Sequence, residues 1–168
     1  MNDILKKNLK WNLTQISVQS AHAQNVRGRA RSGYYKVAFM LAASIVEALE
    51  HYLLQKNCQL PMPLEDIECK EHSLLPYNYT LSTDFMLAIC KRIQKKFELK
   101  SNTDFVKVNE VCKKLNLVNL SLYKRIDSIR EKRNNIHLQG LNVLDRSYTN
   151  KQLESVSSVI SALIDKVF

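Results

Sequence analysis

The sequence predicts an all-α fold, a single bundle of five to six helices covering residues 1–168. Three observations carry this expectation. Gly and Pro number only three each, too few to turn the strands of an all-β sandwich or barrel. Apolar residues recur at helical spacing in the first and last segments. The glycines Gly28, Gly33 and Gly140 form no phosphate-cradling cluster, which argues against a Rossmann or P-loop nucleotide site. With 45% apolar and 24% charged residues, the chain has the composition of one ordinary globular domain.

The first helix is expected from Asn2 to about His22, with Leu5, Leu9, Leu13 and Ile16 on one face. A basic break, Arg27-Gly28-Arg29-Ala30-Arg31-Ser32-Gly33, separates it from Tyr34–Gln55. That second segment is apolar almost all round, as the buried centre of a bundle is, and Glu47, Glu50 and His51 open a polar face on its later turns. Residues 57–80 hold all three prolines and the acidic run Glu65-Asp66-Ile67-Glu68, so they read as an irregular connection with one helical turn around 64–72. Ser82-Thr83-Asp84 reads as an N-cap for a helix over 84–98, with Lys91, Arg92, Lys95 and Lys96 as its basic face. Ser101-x-x-Asp104 signals a short helix over 104–115. Asn119 or Ser121 caps the next helix, which reaches about Leu138. Thr149-x-x-Gln152 is a capping box for the last helix, with Leu153, Val156, Ile160, Leu163 and Ile164 inward.

A net charge of +9 points to a polyanionic partner, and its distribution sharpens the point. Residues 1–36 carry seven basic and one acidic side chain, whereas residues 37–90 carry two and seven. Residues 91–133 return to thirteen against five, and 134–168 balance at three against three. Solvated helix faces seldom segregate charge in this way, though they remain the bland alternative.

The chain opens Met1-Asn2-Asp3-Ile4-Leu5-Lys6-Lys7, without the apolar core of a secretory signal, and Val37–Val46 falls well short of the ~20 residues that span a bilayer. A cytoplasmic location with no membrane partner is expected. Cys58, Cys69, Cys90 and Cys112 form no Cys-x-x-Cys pair, and Cys69-x-x-His72 lacks the second ligand pair of a structural zinc site. The sequence therefore calls for no metal and no cofactor.

Chemistry concentrates in Leu122–Leu138. Leu122, Ile126, Ile129 and Ile136 form a stripe for the core. With Arg130 as zero and 100° per residue, Arg133 falls near about −60°, His137 near about −20° and Asn134 near about +40°. Two guanidiniums, an amide and a histidine thus border the buried stripe on one arc. Arginine beside a helix interface needs an anionic partner or a function. Asp127, or a carboxylate on a neighbouring helix, would meet that need structurally.

The six residues separating Arg130 from His137, with Arg133-Asn134 between them, resemble the Arg-x4–6-His signature of HEPN domains. The apolar helix upstream, with Ala42-x-Ser44-x-x-Glu47-Ala48, is similar to the helix those domains place before the motif. The resemblance covers roughly residues 30–168. It implies an all-helical bundle of the ribonuclease toxin and defence type, cleaving RNA without metal. His137 would act as general base or acid, Arg130 and Arg133 would hold the scissile phosphate, and Asn134 would orient either. Arg130 has the family's spacing but is followed by Glu131. Arg133 has the polar neighbour but stands only four positions before His137. Both therefore remain candidates for the motif arginine. Glu47 and Glu50 are possible neighbours of the site. Lys91, Arg92, Lys95 and Lys96, with Arg27, Arg29 and Arg31, are candidate RNA contacts.

One histidine cannot easily serve both sides of an in-line displacement, so a homodimer is expected, with Ile126, Ile129 and Ile136 packing across its two-fold axis. The alternative is a catalytically silent HEPN-like module that binds a nucleotidyltransferase or antitoxin partner. A DNA-binding regulator ranks below both, for want of a helix-turn-helix pattern.

Overall fold

A computed structural model describes residues 3–57, 59–60, 62, 65–66, 79–82, 85–87, 92–93, 97, 99–100, 102–138 and 148–167. Five helices dominate them: α1 (Asp3–Gln24), α2 (Gly28–Lys56), α3 (Phe105–Lys114), α4 (Leu120–Leu138) and α5 (Asn150–Val167). The fold is an all-α bundle. Four short strands, β1 (Glu65–Asp66), β2 (Tyr79–Ser82), β3 (Phe85–Leu87) and β4 (Arg92–Ile93), lie in the connection between α2 and α3.

α2 is the central helix because its sequence is apolar on nearly every side. Ala38, Phe39, Ala42, Ala43, Ile45, Val46, Leu49, Leu53 and Leu54 are all buried, and α2 packs against each of the other four helices. By length and composition α2 is also apolar enough to cross a membrane, but the bundle buries 56% of its most apolar window. Each fully buried Leu or Ile here contributes on the order of 1.5–3 kcal/mol.

α1 packs antiparallel on α2, burying Leu9, Ile16 and Ala23. Leu13, expected on that face, stays 40% exposed. The expected break over 27–33 is also shorter, since α2 already begins at Gly28. Gly28, at the end of the short connection over residues 25–27, takes φ +60°, a left-handed value that glycine adopts at little cost. Arg31 Nε then donates to the Ala23 carbonyl at 3.0 Å, satisfying one of the last carbonyls of α1. Arg29 and Arg31 therefore belong to a helix start rather than to a loop.

The helix expected over 84–98 is not formed where the structure describes it. Phe85–Leu87 pairs antiparallel with Tyr79–Ser82, and Arg92–Ile93 pairs with Glu65–Asp66. The aromatic and β-branched residues Tyr79, Thr80 and Phe85 favour a pleated pair. Ser82, read as part of a helix cap, instead ends β2, since residues that cap helices also mark turns. Glu65–Asp66 is likewise extended rather than helical.

The remaining elements follow their sequence signals. Asp104 occupies the N-cap of α3, without a side-chain cap bond, and Ser101 lies outside the described residues. Of the two candidate caps for α4, Asn119 is used: its Oδ1 accepts from the Leu122 N–H at 2.8 Å. Gln152 Oε1 accepts from the Thr149 N–H at 3.3 Å, one half of the predicted capping box. α5 buries Leu153, Val156, Val159, Ile160, Leu163 and Val167 against α2.

Candidate functional site

α4 positions the site. The Asn119 cap and the buried Leu122, Ile126 and Ile129 fix its rotation. Arg130, Arg133 and Asn134 then emerge together on the adjoining face, as 100° per residue requires. They line one side of a polar cavity of ≈ 480 Å³. Facing them are Glu47 and His51 of α2 and residues 102–106 at the start of α3.

Both arginines have carboxylate partners. Arg133 Nη1 lies 2.9 Å from Glu47 Oε2, an ion pair bridging α4 and α2 with each side chain 28% exposed. Arg130 Nε lies 2.8 Å from Asp127 Oδ1, and its Nη2 lies 3.7 Å from Glu131 Oε1. A guanidinium carries five N–H donors, so one carboxylate contact leaves donors for a second oxyanion. The start of α3 presents Asp104, whose side chain makes no cap bond, to the same cavity. Thr103 Oγ1, beside it, accepts from the Lys100 N–H at 2.9 Å.

Glu50 is not a neighbour of the cavity. It is buried in the bundle interior, and neither carboxylate oxygen has a hydrogen-bond partner among the described residues. Burial pushes its carboxyl up from 4.5 to about 8. Glu50 sits one helical step inward of Glu47, so the polar face expected on α2 consists of Glu47 and His51 alone. The Glu50 carbonyl accepts weakly from Cys112 Sγ at 3.9 Å, and burial, with the Glu50 charge added, pushes the Cys112 thiol up.

His137 continues the backbone of α4, and its side chain lies outside the described residues. Lys91, Lys95 and Lys96 also lie outside them, while Arg92 falls in β4. Arg27, Arg29 and Arg31 sit at the α1–α2 corner and do not line the cavity. Ile126 and Ile129 are buried and Ile136 is partly buried within their own bundle. Ile126 and Ile129 therefore do not supply the apolar surface of a two-fold interface, because their partners already come from the same chain.

Sequence reasoning misses His51, Asn102, Thr103 and Asp104 as parts of the site. His51 follows Glu47 by four residues, a spacing that puts both on one helix face. Residues 102–104 precede α3 in irregular backbone, where no periodicity marks them. Among the described residues no group of three or more His, Cys, Asp or Glu side chains is placed to hold a metal ion. No protein family, characterised protein or solved structure matches this chain.

Proposed function

We propose that this protein is a metal-independent endoribonuclease of the HEPN type, a cytoplasmic toxin or defence effector acting as a homodimer on RNA. The observation that supports this reading most is the meeting of Arg130, Arg133 and Asn134 in one polar cavity, one to two turns before His137. In the proposed reaction an imidazole takes the ribose 2′-hydroxyl proton, and O2′ attacks phosphorus. The P–O5′ bond breaks and the leaving O5′ receives a proton. Histidine suits both transfers because its ordinary pKa of ~6.5 populates both forms near neutrality. Arg130 and Arg133 hold the phosphate and stabilise the phosphorane charge, and Asn134 orients a phosphate oxygen. The second imidazole comes either from His137 of a second copy or from His51, which lines the same cavity.

A different observation favours a second reading. Glu47 and Asp127 already compensate both arginines, as in a structural ion-pair network. That arrangement suits a non-catalytic HEPN-like module whose partner is a nucleotidyltransferase or an antitoxin.

The deciding experiment incubates the purified chain with a defined RNA in EDTA. Cleavage leaving 2′,3′-cyclic phosphate or 3′-phosphate ends, reduced ~10²–10⁴-fold in His137→Ala, supports the nuclease. Tight RNA binding without any cut favours the binding module, and equal cleavage in His137→Ala removes that histidine from the mechanism.

A further inference from the structure

Among the described residues, Glu50 and Asn109 are the buried polar side chains, at 0% and 1% exposure. Both Glu50 carboxylate oxygens and Asn109 Oδ1 lack a hydrogen-bond partner there. Cys112 lies three residues after Asn109 on the same face of α3, and its Sγ reaches the Glu50 carbonyl at 3.9 Å. Glu50 therefore stands where α2 and α3 meet. Asn109 Nδ2 donates to the Tyr123 carbonyl of α4 at 3.3 Å. Buried acceptors without donors weaken the contact that hides them, and they are satisfied once water reaches them.

α3 is the shortest helix among the described residues, with ten residues, too few to be stable without its packing on α2 and α4. Its two ends are held differently. At the C-terminal end, the Cys112 carbonyl accepts from the Leu117 and Val118 N–H groups at 2.9 and 3.4 Å. Asn116 takes φ +56° in this turn, a left-handed value that asparagine tolerates. The turn leads directly into the Asn119 cap of α4. At the N-terminal end, Asp104 makes no cap bond, and residues 102–106 wall the cavity opposite Arg130 and Arg133. The end at the cavity is the looser one, and the turn over 115–119 is the pivot.

The groups around Glu50 leave its charge uncompensated. From α3 the titratable group facing it is Cys112, whose thiol the Glu50 charge pushes up; Lys107 and Glu110 pair with each other at 3.5 Å on the outer face. α4 turns Arg130 onto Asp127 and Arg133 onto Glu47, and the Tyr123 ring lies under Lys113 Nζ. The buried faces of α1 and α5 are apolar throughout, and on α2 itself Glu47 and His51 open to the cavity. A carboxylate ionised in this place is costly, so ionisation favours the arrangement in which water reaches it. We propose that α3 is a hinged wall of the polar cavity, docked while Glu50 is neutral and released when Glu50 ionises. Opening then becomes easier as pH rises from 4.5 to about 8 and levels off above that. As regulation of the cavity this rests on the nuclease reading, whereas the movement itself is read on the protein alone.

The test is hydrogen-exchange mass spectrometry of the full chain without RNA, with protection at each pH taken relative to the urea-unfolded chain. The amides of α3 are expected to be at least ~10-fold less protected than those of α5 at neutral pH, because α3 opens without global unfolding. Between pH ~5.5 and about 8 the protection of α3 should fall by up to ~10-fold per pH unit. Glu50→Gln keeps the shape of the side chain and cannot ionise, so it should abolish that slope. Alkylation of Cys112 by iodoacetamide, referred to the unfolded chain in the same way, should follow the same curve, since lifting α3 uncovers the thiol. Equal protection of α3 and α5 in the wild type overturns the inference and needs no variant. A slope that survives in Glu50→Gln overturns it too, as does a Cys112 that stays protected while the α3 amides exchange. None of these readouts involves RNA cleavage, so failure of the hinge and failure of the nuclease reading are told apart.

Discussion

Arg133 of α4 and Glu47 of α2 meet at 2.9 Å beside the polar cavity that both line. The pair ties the helix that carries the sequence motif to the central helix of the bundle and fixes the direction of one guanidinium. Partly exposed pairs of this kind add little stability, about 0–1 kcal/mol. Their larger effect is orientation. Glu47→Gln is expected to lower the thermal midpoint slightly while reducing RNA cleavage through kcat more than through KM. A large loss of stability with unchanged kcat would mean that the pair is purely structural.

Arg130→Ala and Arg133→Ala are each expected to impair cleavage more than RNA binding, because their proposed contact is strongest when the phosphorane forms. Single-turnover rates and filter-binding affinities on the same RNA separate the two. Equal losses in both would reduce the arginines to binding contacts.

The source of the second imidazole is open to a direct experiment. His51→Ala should remove one limb of a bell-shaped pH–rate profile if His51 serves in the same chain. A dimer-shared site instead predicts that mixing His137→Ala with Arg130→Ala subunits restores part of the activity neither has alone. Sedimentation of the wild type as an active monomer would exclude the shared site.

Glu50 makes stability depend on pH with a sign opposite to that of most carboxylates. Its folded-state value of about 8 lies above the ordinary 4.5, so between these values the folded chain keeps a proton that the unfolded chain has lost. Stability from this group is therefore highest at low pH, falls as pH rises through that window, and levels off above it. A tenfold difference in proton affinity between folded and unfolded chains is worth about 1.4 kcal/mol, which makes the effect one of several kcal/mol. Glu50→Gln is expected to flatten the slope of Tm against pH between 4.5 and about 8, the window set by these two values. An unchanged slope in the variant would assign the dependence to other groups.

Asn119→Ala removes the oxygen that accepts from the Leu122 N–H. The expected cost is ~1 kcal/mol, within the usual range for a lost cap, read as a shift of the urea midpoint at constant m-value. Because the cap starts the helix that carries Arg130, Arg133 and Asn134, an activity loss larger than this stability loss would show that the end of α4 positions the site.

The amino-acid sequence by itself determined the all-α class, the apolar central helix, a cap for α4 at Asn119 or Ser121, the inward face of α5 and the convergence of Arg130, Arg133 and Asn134. Each is a local property: periodicity, capping chemistry and rotation per residue act within one helix. Tertiary structure decided what meets those faces. Burial turned Glu50 inward and left Glu47 to pair with Arg133, although the two glutamates look alike on a helical projection. Packing also placed Ile126 and Ile129 inside their own bundle rather than at a two-fold interface. Cross-strand pairing made strands of Tyr79–Ser82 and Phe85–Leu87, where helix-cap signals had favoured a helix. Residues 102–106 and His51 entered the cavity only when α2, α3 and α4 were brought together. An ion pair or a cavity wall is a relation between segments far apart in the chain, and helical periodicity carries no information about such a relation until packing supplies the partner.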